Sequence, residues 1–147
     1  MPSTISQSKR FQELRERADL SHDEAARRMG VPAPCIWDIE SFEDEITSCY
    51  SPLEAKRFCE AMGARIGELF DLSTTEPGVS PIELVERIHA ECRKRGVMLE
   101  QFEEVVGWSL GQCMNPPERL LEDMSIDGVQ WLCRELGIDW HRVILSV

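Results

Sequence analysis

Apolar residues recur at spacings of three and four along most of this chain, broken by short clusters of glycine, proline, serine and acidic residues. That period belongs to helices with one buried face. A first helix is predicted over Lys9 to Ala18, with Phe11, Leu14 and Ala18 on one side, behind a polar start (residues 1–8) expected to fray. Leu20 is a buried link. Ser21 to Glu24 reads S-x-x-E, a capping box with Ser21 as N-cap, and Asp23 and Glu24 suit the positive end of a helix dipole. The second helix runs to Met29 with Ala25 and Met29 inward, and Gly30 ends it in a left-handed conformation. Val31 anchors the corner. A third helix is predicted over Ala33 to Glu40, with Ile36 and Ile39 inward. Pro32 and Pro34 fall at its start, where proline loses no helical bond.

Residues 41–50 read as an acidic, irregular connection. Ser51-Pro52 then opens a helix carrying Leu53, Phe58, Cys59 and Met62, which Gly63 caps. Ile66, Leu69 and Phe70 supply a short last helix. Small polar residues around Pro77 and Gly78 mark a linker over residues 73–81, and Ser80-Pro81 opens the next helix.

The second half resembles a decayed copy of the first. Val106-Gly107-Trp108 falls 77 residues after Met29-Gly30-Val31, Phe102 falls 77 after Ala25, and Ile88 falls 77 after Phe11. Leu136-Gly137-Ile138 falls 74 after Met62-Gly63-Ala64, as do Ser125 after Ser51, Cys133 after Cys59 and Ile144 after Phe70. One helix order, shortened between the two offsets, accounts for the pattern. The expected organisation is a unit over residues 9–72, the linker, and a degenerate unit over residues 82–147.

Composition changes this picture in one respect. The formal charge is −11, and it is shared: residues 1–72 hold 9 Lys/Arg against 14 Asp/Glu, and residues 73–147 hold 7 against 13. DNA affinity draws on clustered cations, so an acidic chain needs a local basic face to approach a duplex. Apolar residues at 42% suffice for a core, no run is long enough for a membrane span, and no secretory pattern opens the chain. The expectation is a cytoplasmic protein. Cys35, Cys49, Cys59, Cys92, Cys113 and Cys133 contain no CxxC pair and no histidine at ligand spacing. They read as buried free thiols, with no metal or cofactor. No Ser-His-Asp order, phosphate-binding glycine loop or HExxH stands in the chain, so an enzyme is not expected.

Two short helices around a glycine corner are the layout of a helix-turn-helix. Residues 10–70 resemble the lambda-repressor/Cro-like (XRE) helix-turn-helix family. The matching string is Leu14-Arg15, Leu20-Ser21, Glu24, Ala25-Ala26, Met29-Gly30-Val31, Ile36 and Ile39-Glu40, followed by the helix PLEAKRFCEAMGARIGELF. The resemblance implies an all-α fold of two tandem five-helix units, and a transcriptional regulator that binds double-stranded DNA, usually as a symmetric dimer. It places Ala33, Pro34, Cys35, Trp37 and Asp38 on or beside the reading surface. His22, Arg27, Arg28 and Lys56 are candidates for phosphate contacts.

The chain departs from that pattern. His22 stands where the family commonly has glutamine, PAPC opens the third helix without base-reading donors, Asp38 would repel phosphate, and Glu43-Asp44-Glu45 follow. In the second half Asn115-Pro116-Pro117 breaks the equivalent helix. The candidates there are Gln112 and Asn115 for base edges and Arg93, Lys94 and Arg95 for phosphates. Trp131 and Trp140 read as core, Trp108 as core beside Phe102, and Trp37 as a helix-edge residue suited to an interface. Two readings stand: a DNA-binding regulator, and a protein-interaction module on a helix-turn-helix scaffold that no longer reads DNA.

Overall fold

A computed structural model describes residues 6–72 and 74–147. Residues 1–5 of the polar start and Ser73 of the predicted linker lie outside the described residues. The chain is all-helical, with no strand among the described residues. The first half comprises α1 (Gln7–Arg17), α2 (His22–Met29), α3 (Ala33–Ser41), α4 (Glu45–Cys49), α5 (Pro52–Ala61) and α6 (Ile66–Phe70). The second comprises α7 (Pro81–Arg95), α8 (Leu99–Val106), a 3-10 turn (Leu110–Gln112), α9 (Arg119–Asp123), α10 (Ile126–Leu136) and α11 (Trp140–Ile144).

Caps set most of these boundaries. Ser6 Oγ accepts the Lys9 N–H at 3.2 Å, so α1 starts at Gln7 rather than Lys9. Glu43 ties that end down, accepting from the Gln7 N–H at 2.8 Å and the Ser8 hydroxyl at 3.0 Å. Residues 7 and 8 therefore belong to the fold rather than to a frayed tail. Ser21 Oγ accepts the Glu24 N–H at 3.1 Å, the forward half of the predicted box, and Glu24 makes no reciprocal bond among the described residues. The full reciprocal box is at Ser51 and Glu54. Gly30 ends α2 at φ 71°, in the left-handed region that favours glycine.

The predicted irregular stretch 41–50 holds a helical turn, α4. Thr47 and Ser48 hydroxyls bond back to the Asp44 carbonyl, and Ile46 and Thr47 are buried. Ile46 anchors the segment to the core, which a survey of its polar neighbours does not reveal.

Helix bounds repeat at the two offsets. α2 and α8 differ by 77 residues at both ends; α4 and α9, and α6 and α11, differ by 74. Left-handed residues follow suit: Asp19 with Gly96 and Gly30 with Gly107 at 77, Gly63 with Gly137 at 74. Where α3 would recur there is only the 3-10 turn, followed by the predicted Pro116-Pro117 break.

Both halves contribute to one continuous cluster of buried residues. Across it α4 packs on α10 and α5 on α9, and the Ile126 N–H donates to the Tyr50 carbonyl at 3.0 Å. The segment expected as a free linker is held against α11. Val79 is fully buried, its N–H donates to the Arg142 carbonyl at 3.0 Å, and the Ser146 hydroxyl donates to its carbonyl at 2.7 Å.

Inside the first half, α3 packs on both α1 and α2. The joint is an ion pair between Arg15 on α1 and Glu40 on α3. Arg15 donates Nε–H to Oε2 at 2.7 Å and Nη2–H to Oε1 at 3.0 Å, while Nη1–H reaches the Leu20 carbonyl at 2.8 Å. Both side chains are more than nine-tenths buried. Removing one member leaves a buried charge without its counterion, at about 3–5 kcal/mol. Arg15→Met is expected to lower the urea unfolding free energy on that scale. Arg15→Met with Glu40→Leu should recover much of the loss, and equal losses in the single and double variants would show that the pair does not couple α1 to α3.

Candidate nucleic-acid interface

On α3, Pro34, Trp37 and Asp38 are exposed, and Ala33 and Cys35 are half-buried. Cys35 sits against Tyr50, whose phenol is pushed up first by burial and then by the Cys35 hydrogen bond. Trp37 exposes 55% of its surface, but one face of its ring is covered. The His22 imidazole stacks on it with centroids 3.6 Å apart and planes within 6°. The same imidazole places Nε2 3.4 Å from Glu40 Oε1, outside hydrogen-bonding alignment. His22 therefore links α2 to α3 through its stack on Trp37.

Arg27 and Arg28 are exposed on the last turn of α2, and neither makes a hydrogen bond or ion pair among the described residues. Lys56 stands elsewhere. It lies 3.9 Å from Glu60 Oε1 and lines a groove of about 570 Å³ with Arg65, Glu68, Leu145 and Val147, to which neither α2 nor α3 contributes. Of the phosphate candidates in the first half, His22, Arg27 and Arg28 lie on α2, beside the predicted reading face, and of these the two arginines are exposed.

In the second half Gln112 and Asn115 are exposed, yet they sit on the 3-10 turn and the loop after it, not on a helix. Arg93 and Lys94 are exposed and unpaired among the described residues, whereas Arg95 is engaged. It donates to Glu91 Oε1 at 2.9 Å and Glu135 Oε2 at 3.1 Å, and its guanidinium lies over the Phe102 ring. The predicted triplet is reduced to two free cations. The positions 77 residues after Arg27 and Arg28 are Glu104 and Val105, and those after Arg15 and Glu40 are Cys92 and Pro117. At the equivalent positions the second half thus has neither the cation pair that ends α2 nor the ion pair that fixes α3.

Trp131, expected in the core, is 43% exposed. Its Nε1–H donates to the Val105 carbonyl at 3.0 Å and Arg134 covers its ring. On α10 the inward residues are Ile126, Val129, Leu132 and Cys133, so position 131 falls off the buried face. Trp140 and Trp108 are half-buried against the core, as expected. No group of three or more metal-ligating side chains occurs among the described residues, and no helix there is long and apolar enough to cross a membrane.

All six cysteines are free, but they are not uniformly buried. Cys49 is exposed and Cys35 half-buried, against the expectation for the set. Burial pushes Cys59 and Cys133 up to about 12. Because the thiolate is the reactive form, Cys49 is expected to be alkylated first at pH 8. Cys59 and Cys133 should react only with unfolding, as peptide mapping of a time course would show, and early labelling of either would place it outside the core.

The chain matches no family model, and no curated protein or solved structure matches it significantly.

Proposed function

We propose that this protein is a helix-turn-helix regulator of the lambda-repressor/Cro-like type that binds duplex DNA through its first half alone. The observation that carries this reading is the α2–Gly30–α3 corner. Its second helix is locked by Arg15–Glu40 and by the His22–Trp37 stack, beside two unpaired arginines at the end of α2. A crossed helix pair of this kind sets one helix into the major groove while its neighbour meets the backbone. Arg27 and Arg28 supply the phosphate contacts. The exposed α3 residues Pro34 and Trp37 offer apolar contact, which suits thymine methyl groups rather than guanine edges. Asp38 and the net charge of −11 oppose approach, so the interaction is weak and depends steeply on salt.

Fluorescence anisotropy with genomic fragments, from about 50 mM salt upward, tests it. Arg27→Ala with Arg28→Ala should weaken binding across sequences and reduce the logarithmic salt slope by about 1 per arginine. No saturable binding at the lowest salt sinks the proposal.

A second reading, a protein-docking face on the same scaffold, is favoured by one specific observation. Trp37 exposes 55% of its surface immediately before the acidic stretch Asp38 to Glu45, and Phe42 exposes 56% within it. Such a face fits a basic partner with an apolar anchor. A stoichiometric protein retained from native lysate after nuclease treatment, and lost with Trp37→Ala, would favour it. Recovery of nucleic acid alone rules against it.

A further inference from the structure

The two halves meet in a pattern that follows from neither half alone. Moving α4 forward by 74 residues gives α9, and moving α5 gives Ile126–Glu135, within α10. Between the halves, α4 packs on α10 and α5 packs on α9. Each contact is therefore the other with the halves exchanged. That exchange is the signature of an isologous, two-fold interface, in which residue i meets j and j meets i. Contacts within each half correspond as well: α2 on α5 with α8 on α10, and α5 on α6 with α10 on α11. The backbone bond across the joint shows the same logic and its limit. The Ile126 N–H donates to the Tyr50 carbonyl at 3.0 Å. The symmetric bond would run from residue 52 to the carbonyl of residue 124, and residue 52 is proline, which has no N–H to give.

We propose that the second half is the built-in partner of the first. α9 and α10 occupy the surface that a second copy would use, so the chain pairs with itself and remains a monomer. This rests on the DNA reading above for its consequence. A symmetric dimer presents two reading helices and selects a palindrome, whereas this pair presents one. In the second half α3 is replaced by a 3-10 turn, Arg27 and Arg28 by Glu104 and Val105, and the exposed Trp37 by the buried Met114. The ligand is accordingly a single asymmetric half-site, within one turn of duplex or about 10 bp, bound by one chain.

Three measurements on the full chain test this. Sedimentation over a wide concentration range should return the mass of one chain, 16.8 kDa. Hydrogen exchange should find the Ile126 amide slowed by about a thousandfold or more, like a core amide. As the first residue of α10, it would otherwise be one of the unpaired donors of a helix N-terminus and exchange rapidly. Selection from a random duplex library should enrich a non-palindromic motif with one chain per duplex. A reversible dimer, a rapidly exchanging Ile126 amide, or a palindrome carrying two chains would overturn the proposal. A monomer with a protected Ile126 amide and no enriched duplex sustains the internal pairing and removes the DNA reading instead.

Discussion

Glu40 closes the inward row of α3 with both carboxylate oxygens on the Arg15 guanidinium, and that guanidinium also holds the Leu20 carbonyl at the corner between α1 and α2. One side chain thus fixes three pieces of backbone: the end of α1, the approach to α2 and the far end of α3. Hydrogen bonding to Glu40 raises Arg15 further above its already high ordinary value, so the charge on the guanidinium persists at any pH the fold would meet. α3 has little else to hold it. Pro32 caps it without a side-chain hydrogen bond, and its inward face offers only Ile36 and Ile39 as fully buried apolar residues. The His22–Trp37 stack adds a second clamp between α2 and α3.

The second half is the natural comparison. Cys92 and Pro117 stand where Arg15 and Glu40 would, and the helix that the ion pair secures is missing there. The elements common to both halves are those with their own caps and apolar faces. Ser51 and Ser125 cap α5 and α10, and Gly63 and Gly137 follow those helices in left-handed conformations. α4 with α5 and α9 with α10 bury the joint, so the second half keeps the elements that form the joint and lacks a counterpart of α3. That division also accommodates the acidity. A chain with 27 acidic and 16 basic residues can present one small cationic patch, at Arg27 and Arg28, without a basic stripe over the whole molecule.

Much of the fold was legible in local chemistry. The α2–Gly30–α3 corner follows from Ser21, the glycine and the apolar spacing, and the two offsets between the halves follow from the positions of the helix-ending glycines, the capping serines and the apolar residues and cysteines between them. What was not legible depends on residues distant in sequence. Arg15 and Glu40 were visible as residues but not as partners, being 25 positions apart. α4 escaped notice because five residues carry too little period, and its burial comes from Ile46 meeting other elements. The candidate interface was the least legible. His22 and Arg95 have polar or charged side chains at plausible positions, yet one is stacked on Trp37 and the other is bonded to Glu91 and Glu135. A sequence supplies donors and charges; whether they reach solvent is decided by the packing around them.

The most direct test of a one-armed reader is residue-resolved mapping of a short duplex on the full chain by NMR titration. The account predicts that perturbed backbone amides cluster on α2, the Gly30 corner and the start of α3, with α8 and the 3-10 turn unaffected. Perturbations centred on α8 and the Arg93–Lys94 end of α7, or equal on both halves, would contradict it.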